Sequence, residues 1–519
     1  MGVTKPPSSG EAWRPDAPTL RVAVGLFAAK VGLHLALGAR YGYNGDELYF
    51  LACGRHLAFG YVDHAPLVPW IARASSELFG DSLRALRFFP AVAAGLAIVL
   101  TVLIVREWGG RVFAQLVAGL AMLIAPAFLR MGSILCIPVF EPLYWTACAY
   151  CIVLSIKYDQ PKLWLLVGAV AGLGLLNKHT MLFWGAGLVA GLLATRERRQ
   201  LARIWPWLGA LIAFLFFLPN LIWQQRNGWP TLEFIRNIGD DQLNAIPRIV
   251  FVLGQALYMH PLSLALVVAG LWFFFSRTGE AYRLFGWMYL VVLAMLLLAH
   301  AKPYYVAPVY PVVFAGAGVM VERWLESGRR RRARPLVIGA MLLAGAALAP
   351  FALPLLPLQT TDRLIQRLLG AAVRSPADLT LEFHEQFGWP EQAATVAAVH
   401  RQLPEEDARR SSILTQDYAE ASAINFFGPA LGLPPAVSGH MTYYLWGPPD
   451  PHVDVVIAYG MSEVALKRVF ADVQPVATIS HPLASAWHTD LAVYVCRAPR
   501  TPLRQSWPQL KRYRFRDAP

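Results

Sequence analysis

Charge is scarce in this chain: only 15% of its 519 residues are Asp, Glu, Lys or Arg, while 56% are hydrophobic. So small a supply of solvating groups excludes an ordinary soluble globular protein, and the apolar runs repeatedly reach the length of a bilayer-spanning helix. Cysteine is sparse as well. The five present (Cys53, Cys136, Cys148, Cys151 and Cys496) show no metal-ligand spacing, which argues for structural thiols and against a cysteine metal centre. Internal repeats of the kind that give a transporter its matched halves are missing too. The stretch from Met1 to Thr19 is polar and Pro-rich, with no short apolar segment ending in a small-residue cleavage site, so the first hydrophobic segment reads as a retained helix.

Apolar segments lie near 20–39, 86–105, 112–128, 139–156, 162–177, 179–195, 204–222, 249–275, 284–299, 305–322 and 335–356, about eleven spans by length. Basic residues outnumber acidic ones, for a net charge of +13. In a soluble protein that excess would suggest nucleic acid, but here the cations sort by loop. With a cytoplasmic N-terminus, the inner loops carry Arg106 and Arg111, Lys157 and Lys162, Arg196 to Arg203, Arg277 and Arg283, and Arg329 to Arg334, as the positive-inside rule requires. The arginine cluster reads as an anchor beside anionic lipid, and no nucleic-acid partner is expected. After Pro357 the composition becomes that of a soluble domain, with strand-like runs at Ser412–Thr415, Val453–Ile457 and Leu491–Val495 and a helical stretch from Tyr418 to Phe427. The expected architecture is a polytopic α-helical membrane domain over 1–357, with its first extracytoplasmic loop at 41–85, followed by a small extracytoplasmic α/β domain over 358–519.

Polar and ionisable groups gather near the outer ends of the spans, where each costs a few kcal/mol if it meets lipid. They include Asp46, Glu47, Asp63, His64, Glu141, Lys178, His260, His300 and Lys302, with Tyr304 and Tyr305 alongside. The inner ends carry mostly Arg and Lys suited to headgroups, so the pattern indicates one outward-facing site and not a through-pathway. Blander readings stay open residue by residue. Asp46-Glu47 fits a capping pair for a short helix, with Asn44 or Asp46 as the cap. Asp63-His64 before Pro66 fits a turn and cap, and Lys178 fits a snorkelling loop lysine.

Acids beside cations at a membrane face suit a phosphate-linked lipid substrate. Its phosphate departs as a stable anion, so cations supply the main electrostatic aid and a carboxylate takes the proton of the attacking hydroxyl or amine. A lipid-linked-sugar flippase or transporter is the alternative; it would need polar groups through the full bilayer depth. A divalent metal is compatible with Asp63, His260 and His300 as oxygen and imidazole donors, but no tight ligand spacing supports it, and no obligatory catalytic ion is expected.

Several stretches carry a resemblance: Tyr-Asn-Gly-Asp46-Glu47-Leu-Tyr, Gly60-Tyr-Val-Asp63-His64-Ala-Pro66-Leu, Ile137-Pro-Val-Phe-Glu141-Pro-Leu, Leu175-Leu-Asn-Lys178-His-Thr-Met, Leu218-Pro-Asn220 through Trp229-Pro, Lys302-Pro-Tyr-Tyr305 through Pro311, and Ser438-Gly-His440 through Trp446. In order and spacing the chain resembles the bacterial branch of the family that includes dolichyl-phosphate-mannose protein mannosyltransferases and lipid A aminoarabinose transferases, of the membrane glycosyltransferase C fold. The resemblance implies transfer of a monosaccharide from a polyprenyl-phosphate donor to an envelope lipid, glycan or protein at the outer face of the inner membrane, with inversion. It implies Asp46 as catalytic base with Glu47 completing the acid pair, and Asp63, His64, Glu141, Lys178, His300, Lys302, Tyr304 and Tyr305 as substrate contacts. The chain departs from the pattern at Glu141, where many relatives have aspartate; at His64, where some have lysine; and at Ala65, where close relatives often have proline.

Overall fold

The computed structural model describes residues 15–242, 247–370 and 379–515. Among them seven helices are long and apolar enough to cross a membrane: Ala17–Leu37 (α1), Leu83–Glu107, Ile137–Tyr158, Ile204–Arg226, Glu280–Leu298, Pro303–Trp324 and Gly328–Ala352. Three shorter apolar helices, Val112–Ile124, Leu163–Asn177 and Met181–Leu193, accompany them. The expectation of one continuous span over 249–275 needs correction. That segment is two helices, Arg248–Met259 and Pro261–Phe275, bent by 100°. Pro261 has no N–H to continue the helical ladder, and His260 turns the chain at φ 81° while its Nδ1 accepts from Leu262 N–H at 3.1 Å.

Enclosure varies across the bundle. Glu141–Tyr158 and Tyr310–Trp324 are covered by neighbours on most sides, whereas Ile204–Arg226 and Arg334–Ala352 turn Leu211, Phe214, Leu215, Leu336 and Leu343 outward. Outward apolar side chains are what a lipid solvent favours, because the helix has already satisfied its own backbone groups. Small residues bring the helices close. Gly168 and Gly209 face each other where Leu163–Asn177 crosses Ile204–Arg226, and a Cβ on either would strike the other helix's backbone.

Between α1 and the next membrane-length helix the chain forms a folded segment, which opens with helix Gly45–Arg55 (α2). Asn44 is its N-cap and Glu47 its N3 residue, and together they make a complete capping box: Asn44 Oδ1 accepts from Asp46 N–H at 2.9 Å and Glu47 Oε2 from Asn44 N–H at 2.9 Å. Glu47 does more than cap. Its carboxylate, fully buried, accepts Arg87 Nε at 2.8 Å and Arg87 Nη2 at 2.6 Å, and also Leu135 N–H at 2.8 Å. Arg87 in turn donates to Gly38 O at 2.9 Å, Gly42 O at 2.8 Å and Gln386 Oε1 at 3.2 Å. One bidentate pair thus ties the end of α1, the start of α2, the base of a later span, the 133–136 segment and the C-terminal region.

The C-terminal region carries a five-stranded mixed sheet of order β2-β1-β3-β5-β4, with β1 Ser411–Thr415, β2 Ala436–Ser438, β3 Val455–Tyr459, β4 Phe470–Ile479 and β5 Leu491–Pro499. β1 runs parallel to β2 and β3, in register Ile413 with Ile457, and β5 lies antiparallel to β3 and β4. The strands β1 and β3 are buried on both faces, and β3 accordingly reads as a continuous apolar run, Val-Val-Ile-Ala-Tyr. Helix Tyr418–Phe427 follows β1 and packs against α2, joining this sheet to the first loop.

Removing one partner of the Glu47–Arg87 pair strands the other charge in the interior, at a cost of about 3–5 kcal/mol. Arg87→Ala and Glu47→Ala are each expected to lower the unfolding midpoint of detergent-purified protein sharply, and the double variant less than additively; additive effects would show that the two groups do not act as a pair.

Candidate functional site

Adjacent residues on a helix point about 100° apart, so the acid pair at the start of α2 divides. Glu47 turns inward to Arg87. Asp46 turns outward, where its Oδ1 accepts a 2.8 Å hydrogen bond from the Tyr418 hydroxyl of the C-terminal domain. The Asp46 side chain is reachable by solvent, yet it stands in a recess crowded by protein on all sides. That surrounding mass pushes its carboxyl up to about 6; the Tyr418 hydrogen bond pulls the other way, while the charges of Glu385, Asp63 and Glu382 push it further up.

Asp63 lies in the same loop system. The Tyr49 hydroxyl joins it at 2.8 Å and meets Thr442 Oγ1 at 2.7 Å, and Thr442 Oγ1 also accepts Val62 N–H at 3.1 Å. Tyr49 stacks on Tyr418 with centroids 4.3 Å apart, and Tyr418 stacks on His440 at 5.1 Å. This aromatic stack clamps the first loop to the C-terminal domain directly behind Asp46. His64, in contrast, is packed among Tyr49, Phe50 and Tyr61, with Nδ1 3.0 Å from Ala65 O. His64 as a whole is 4% exposed and its ring faces these aromatic side chains.

A second polar group forms where helices Leu163–Asn177 and Glu141–Tyr158 have their adjoining ends. Lys178 Nζ lies 3.0 Å from Glu141 Oε2 and 4.0 Å over the Tyr305 ring, and the Thr180 hydroxyl donates to Glu141 Oε1. Tyr304 packs edge-on to Tyr305 at 4.9 Å. Here the chain ends helix Leu163–Asn177 and restarts at Met181, so Lys178 sits at a break with its side chain free to reach across to the first turn of Glu141–Tyr158. Cys136 lies between the two groups: burial raises its thiol, and Glu382, Asp46 and Glu47 raise it further. Arg130 contributes another cation, 3.4 Å from Glu382.

The remaining expected residues have contacts of their own. Lys302 lies 5.6 Å from the Phe515 ring of the C-terminal tail. His300 sits in a left-handed turn at φ 50° that ends helix Arg283–Leu298. The metal candidates Asp63 and His260 do not converge; among the described residues the one group of three His, Cys, Asp or Glu ligands close enough to share an ion is Asp417, Glu420 and His488. His260 Nδ1 is engaged by its own helix and Asp63 by Tyr49.

Sequence reasoning missed Arg87, Tyr49, Thr442, Tyr418, Glu382 and Glu385. A signal existed for one of them: Asp417-Tyr418-Ala-Glu420 has the capping-box spacing directly after a strand-like run, which places Tyr418 at the exposed start of a helix.

Residues 63–223 match the family model described as dolichyl-phosphate-mannose-protein mannosyltransferase. Over 252 residues the chain is 27% identical to undecaprenyl phosphate-alpha-4-amino-4-deoxy-L-arabinose arabinosyl transferase 1 of Pseudomonas fluorescens, a match covering 44% of this chain and 45% of that relative. The matched part is therefore under half of that relative's length. Two structures of ArnT from Cupriavidus metallidurans superpose over nearly the whole chain. The apo form gives a TM-score of 0.61 at 18% identity and the form bound to undecaprenyl phosphate 0.59 at 17%, each covering 92% of this chain and 98% of the other. The chain therefore shares the fold of these two structures, a set of membrane-length helices followed by a small C-terminal sheet.

Because the Tyr418 hydroxyl stabilises the carboxylate over the carboxylic acid, Tyr418→Phe is expected to raise the Asp46 midpoint above its value of about 6. Infrared titration of the carboxyl band, read as the difference from Asp46→Asn, measures this; an unmoved midpoint would mean that the hydrogen bond does not govern the acid.

Proposed function

We propose that this protein transfers a monosaccharide from a polyprenyl-phosphate donor to an envelope acceptor at the outer face of the inner membrane, with Asp46 as general base. The observation that carries the reading is Asp46 itself: a carboxylate pushed up to about 6 and held by Tyr418 in a recess. A base whose proton affinity lies near the working pH combines a high ionised fraction with useful driving force. The donor class follows the names of the similar proteins, one an arabinosyl transferase acting from undecaprenyl phosphate and one a structure holding undecaprenyl phosphate.

Roles divide by position. Asp46 takes the proton of the acceptor hydroxyl or amine as that group attacks the anomeric carbon, and the lipid phosphate leaves from the opposite face with inversion. Lys178, fixed by Glu141, and the Tyr304–Tyr305 pair receive the departing phosphate, with Lys302 and His300 at the rim. Glu47 is a positioning residue that sets the helix start carrying Asp46. Asp63, joined to Tyr49, shapes the recess. The membrane domain (1–357) supplies the donor side and the extracytoplasmic domain (358–519) closes the recess, with the N-terminus in the cytoplasm. A divalent ion near Asp63 or His260 is not needed for this chemistry.

Asp46→Asn in detergent-purified protein, supplied with polyprenyl-phosphate sugars and envelope extract, is expected to lose sugar transfer about 10²–10⁴-fold with donor binding retained. Transfer at the wild-type rate would overturn the base assignment. Since the active form is the carboxylate, wild-type kcat/KM should fall as pH drops through about 6; a flat profile from pH 5 to 8, a range bracketing that value, would exclude Asp46 as the base. Lys178→Ala is expected to raise the KM for donor more than it lowers kcat if the ammonium binds phosphate in the ground state.

A further inference from the structure

The sheet of the C-terminal domain has a feature that the transfer reaction does not use. The chain leaves β1 through helix Tyr418–Phe427 toward β2, whereas it leaves β3 through helix Glu463–Val469 toward β4, at the opposite edge of the order β2-β1-β3-β5-β4. Neighbouring parallel strands whose following connections depart in opposite directions leave a crevice outside their carboxyl ends, and that switch point is where open α/β sheets take their ligands. A cleft of about 720 Å³ lies there. Its walls include Thr415 and Gln416 at the end of β1, and Gly460, Met461 and Ser462 at the end of β3. It shares no lining residue with the group formed by Asp46, Tyr418, Tyr49 and Asp63.

The volume falls within the range of about 300–1,000 Å³ typical of small-molecule sites. Trp487, half-buried in the wall, brings an indole; Asp490 brings a carboxylate, Arg512 a guanidinium, Gln416 an amide and Ser462 a hydroxyl. Asp490 is held in the left-handed region at φ 55°, a sparsely populated conformation of the kind that gathers at binding sites. One carboxylate balanced by one guanidinium, among donors and acceptors of both kinds, matches a ligand rich in hydroxyls and without net charge. Phosphate is disfavoured. The N–H groups at the helix start after β1, where such sheets receive phosphate, are already taken: Asp417 Oδ1 accepts Ala419 and Glu420 N–H, each at 2.9 Å, and Glu420 Oε2 accepts Gln416 N–H at 3.0 Å and Asp417 N–H at 3.2 Å. An indole beside hydrogen-bonding groups suits a ring with an apolar C–H face and a hydroxylated edge.

We infer that the C-terminal domain holds a binding cleft for a neutral saccharide at the β1–β3 switch point, with Trp487 as the platform for a sugar ring and Asp490, Arg512, Gln416 and Ser462 as partners of its hydroxyls. The far wall is fixed by the tail of the chain. Arg512 N–H donates to Gly439 O at 2.9 Å and Met441 N–H to Arg512 O at 3.0 Å, which stitches the segment carrying Arg512 beside the end of β2. Gln416 leads directly into the helix start that presents Tyr418 to Asp46. A sugar seated here therefore tethers a glycan-bearing acceptor close to the base; that use rests on the transfer reading, whereas saccharide binding does not.

The probe is the water-soluble glycan pool released from envelope extract by mild acid, mixed with full-length protein in a phosphocholine detergent, whose headgroup carries no sugar. Saturation-transfer NMR is expected to show saccharide protons receiving saturation from the wild type and equally from Asp46→Asn, and about tenfold less from Trp487→Ala and from Asp490→Asn, which keeps the left-handed turn. No transfer from the wild type, transfer confined to phosphorylated glycans, or undiminished transfer from both cleft variants overturns the site. Because the Asp46→Asn arm needs no donor, a failure of the base assignment leaves this result standing. Hydrogen exchange of the wild type with the same pool locates the ligand without any variant: slowing at 460–465 and 485–491 is expected, and slowing at 44–49 alone puts the sugar in the transfer recess and overturns the cleft.

Discussion

The bidentate contact between Glu47 and Arg87 is the constraint on which the recess around Asp46 depends. Both groups are buried, and neither is tolerable there alone. Their geometry admits little slack, since the guanidinium also serves Gly38 and Gly42 carbonyls and the carboxylate also serves Leu135 and Asn44 N–H groups. Every element that contributes to the recess passes through this knot or leans on it. Asp46, one residue away from Glu47, inherits its position from it: the helix start is fixed, so the outward direction of residue 46 is fixed.

Two polar groups of opposite leaning result. Around Asp46 the neighbours are acids and phenols, which hold its proton affinity high; around Lys178 they are a glutamate that keeps the ammonium in place and aromatic rings whose faces favour it. Such a division of labour suits a reaction in which a nucleophile must lose a proton on one side of a carbon and an anion must depart on the other.

Much of this was legible in the residues themselves. The spans announced themselves because lipid demands long uninterrupted apolar runs, and β1, β3, β5 and helix Tyr418–Phe427 fell where alternation and composition placed them. What escaped had specific physical causes. β2 has three residues, too few for a pattern, and β4 is an edge strand with a bulge at Pro475 and mostly exposed side chains, so its sequence looks like loop. The break at His260 was hidden inside a run of uniform hydropathy. Within the site, Asp46, Asp63, Glu141, Lys178 and the tyrosine pair drew attention as polar groups at a membrane boundary, whereas Arg87, at the start of an apolar run, carried no local signal. The packing of His64 among Tyr49, Phe50 and Tyr61 was equally invisible, because it is made by tertiary contacts. Contacts between residues hundreds of positions apart leave no local trace.

The bond between Tyr418 and Asp46 joins residues 372 positions apart in the chain. Its consequence is one of timing. A growing polypeptide emerges with its first loop long before the strand preceding Tyr418 has been synthesised, so the carboxylate acquires its final environment only when the C-terminal domain has folded and docked. Biogenesis therefore ends in the same event that completes the recess, and an unfinished copy in the membrane holds an acid without its partner.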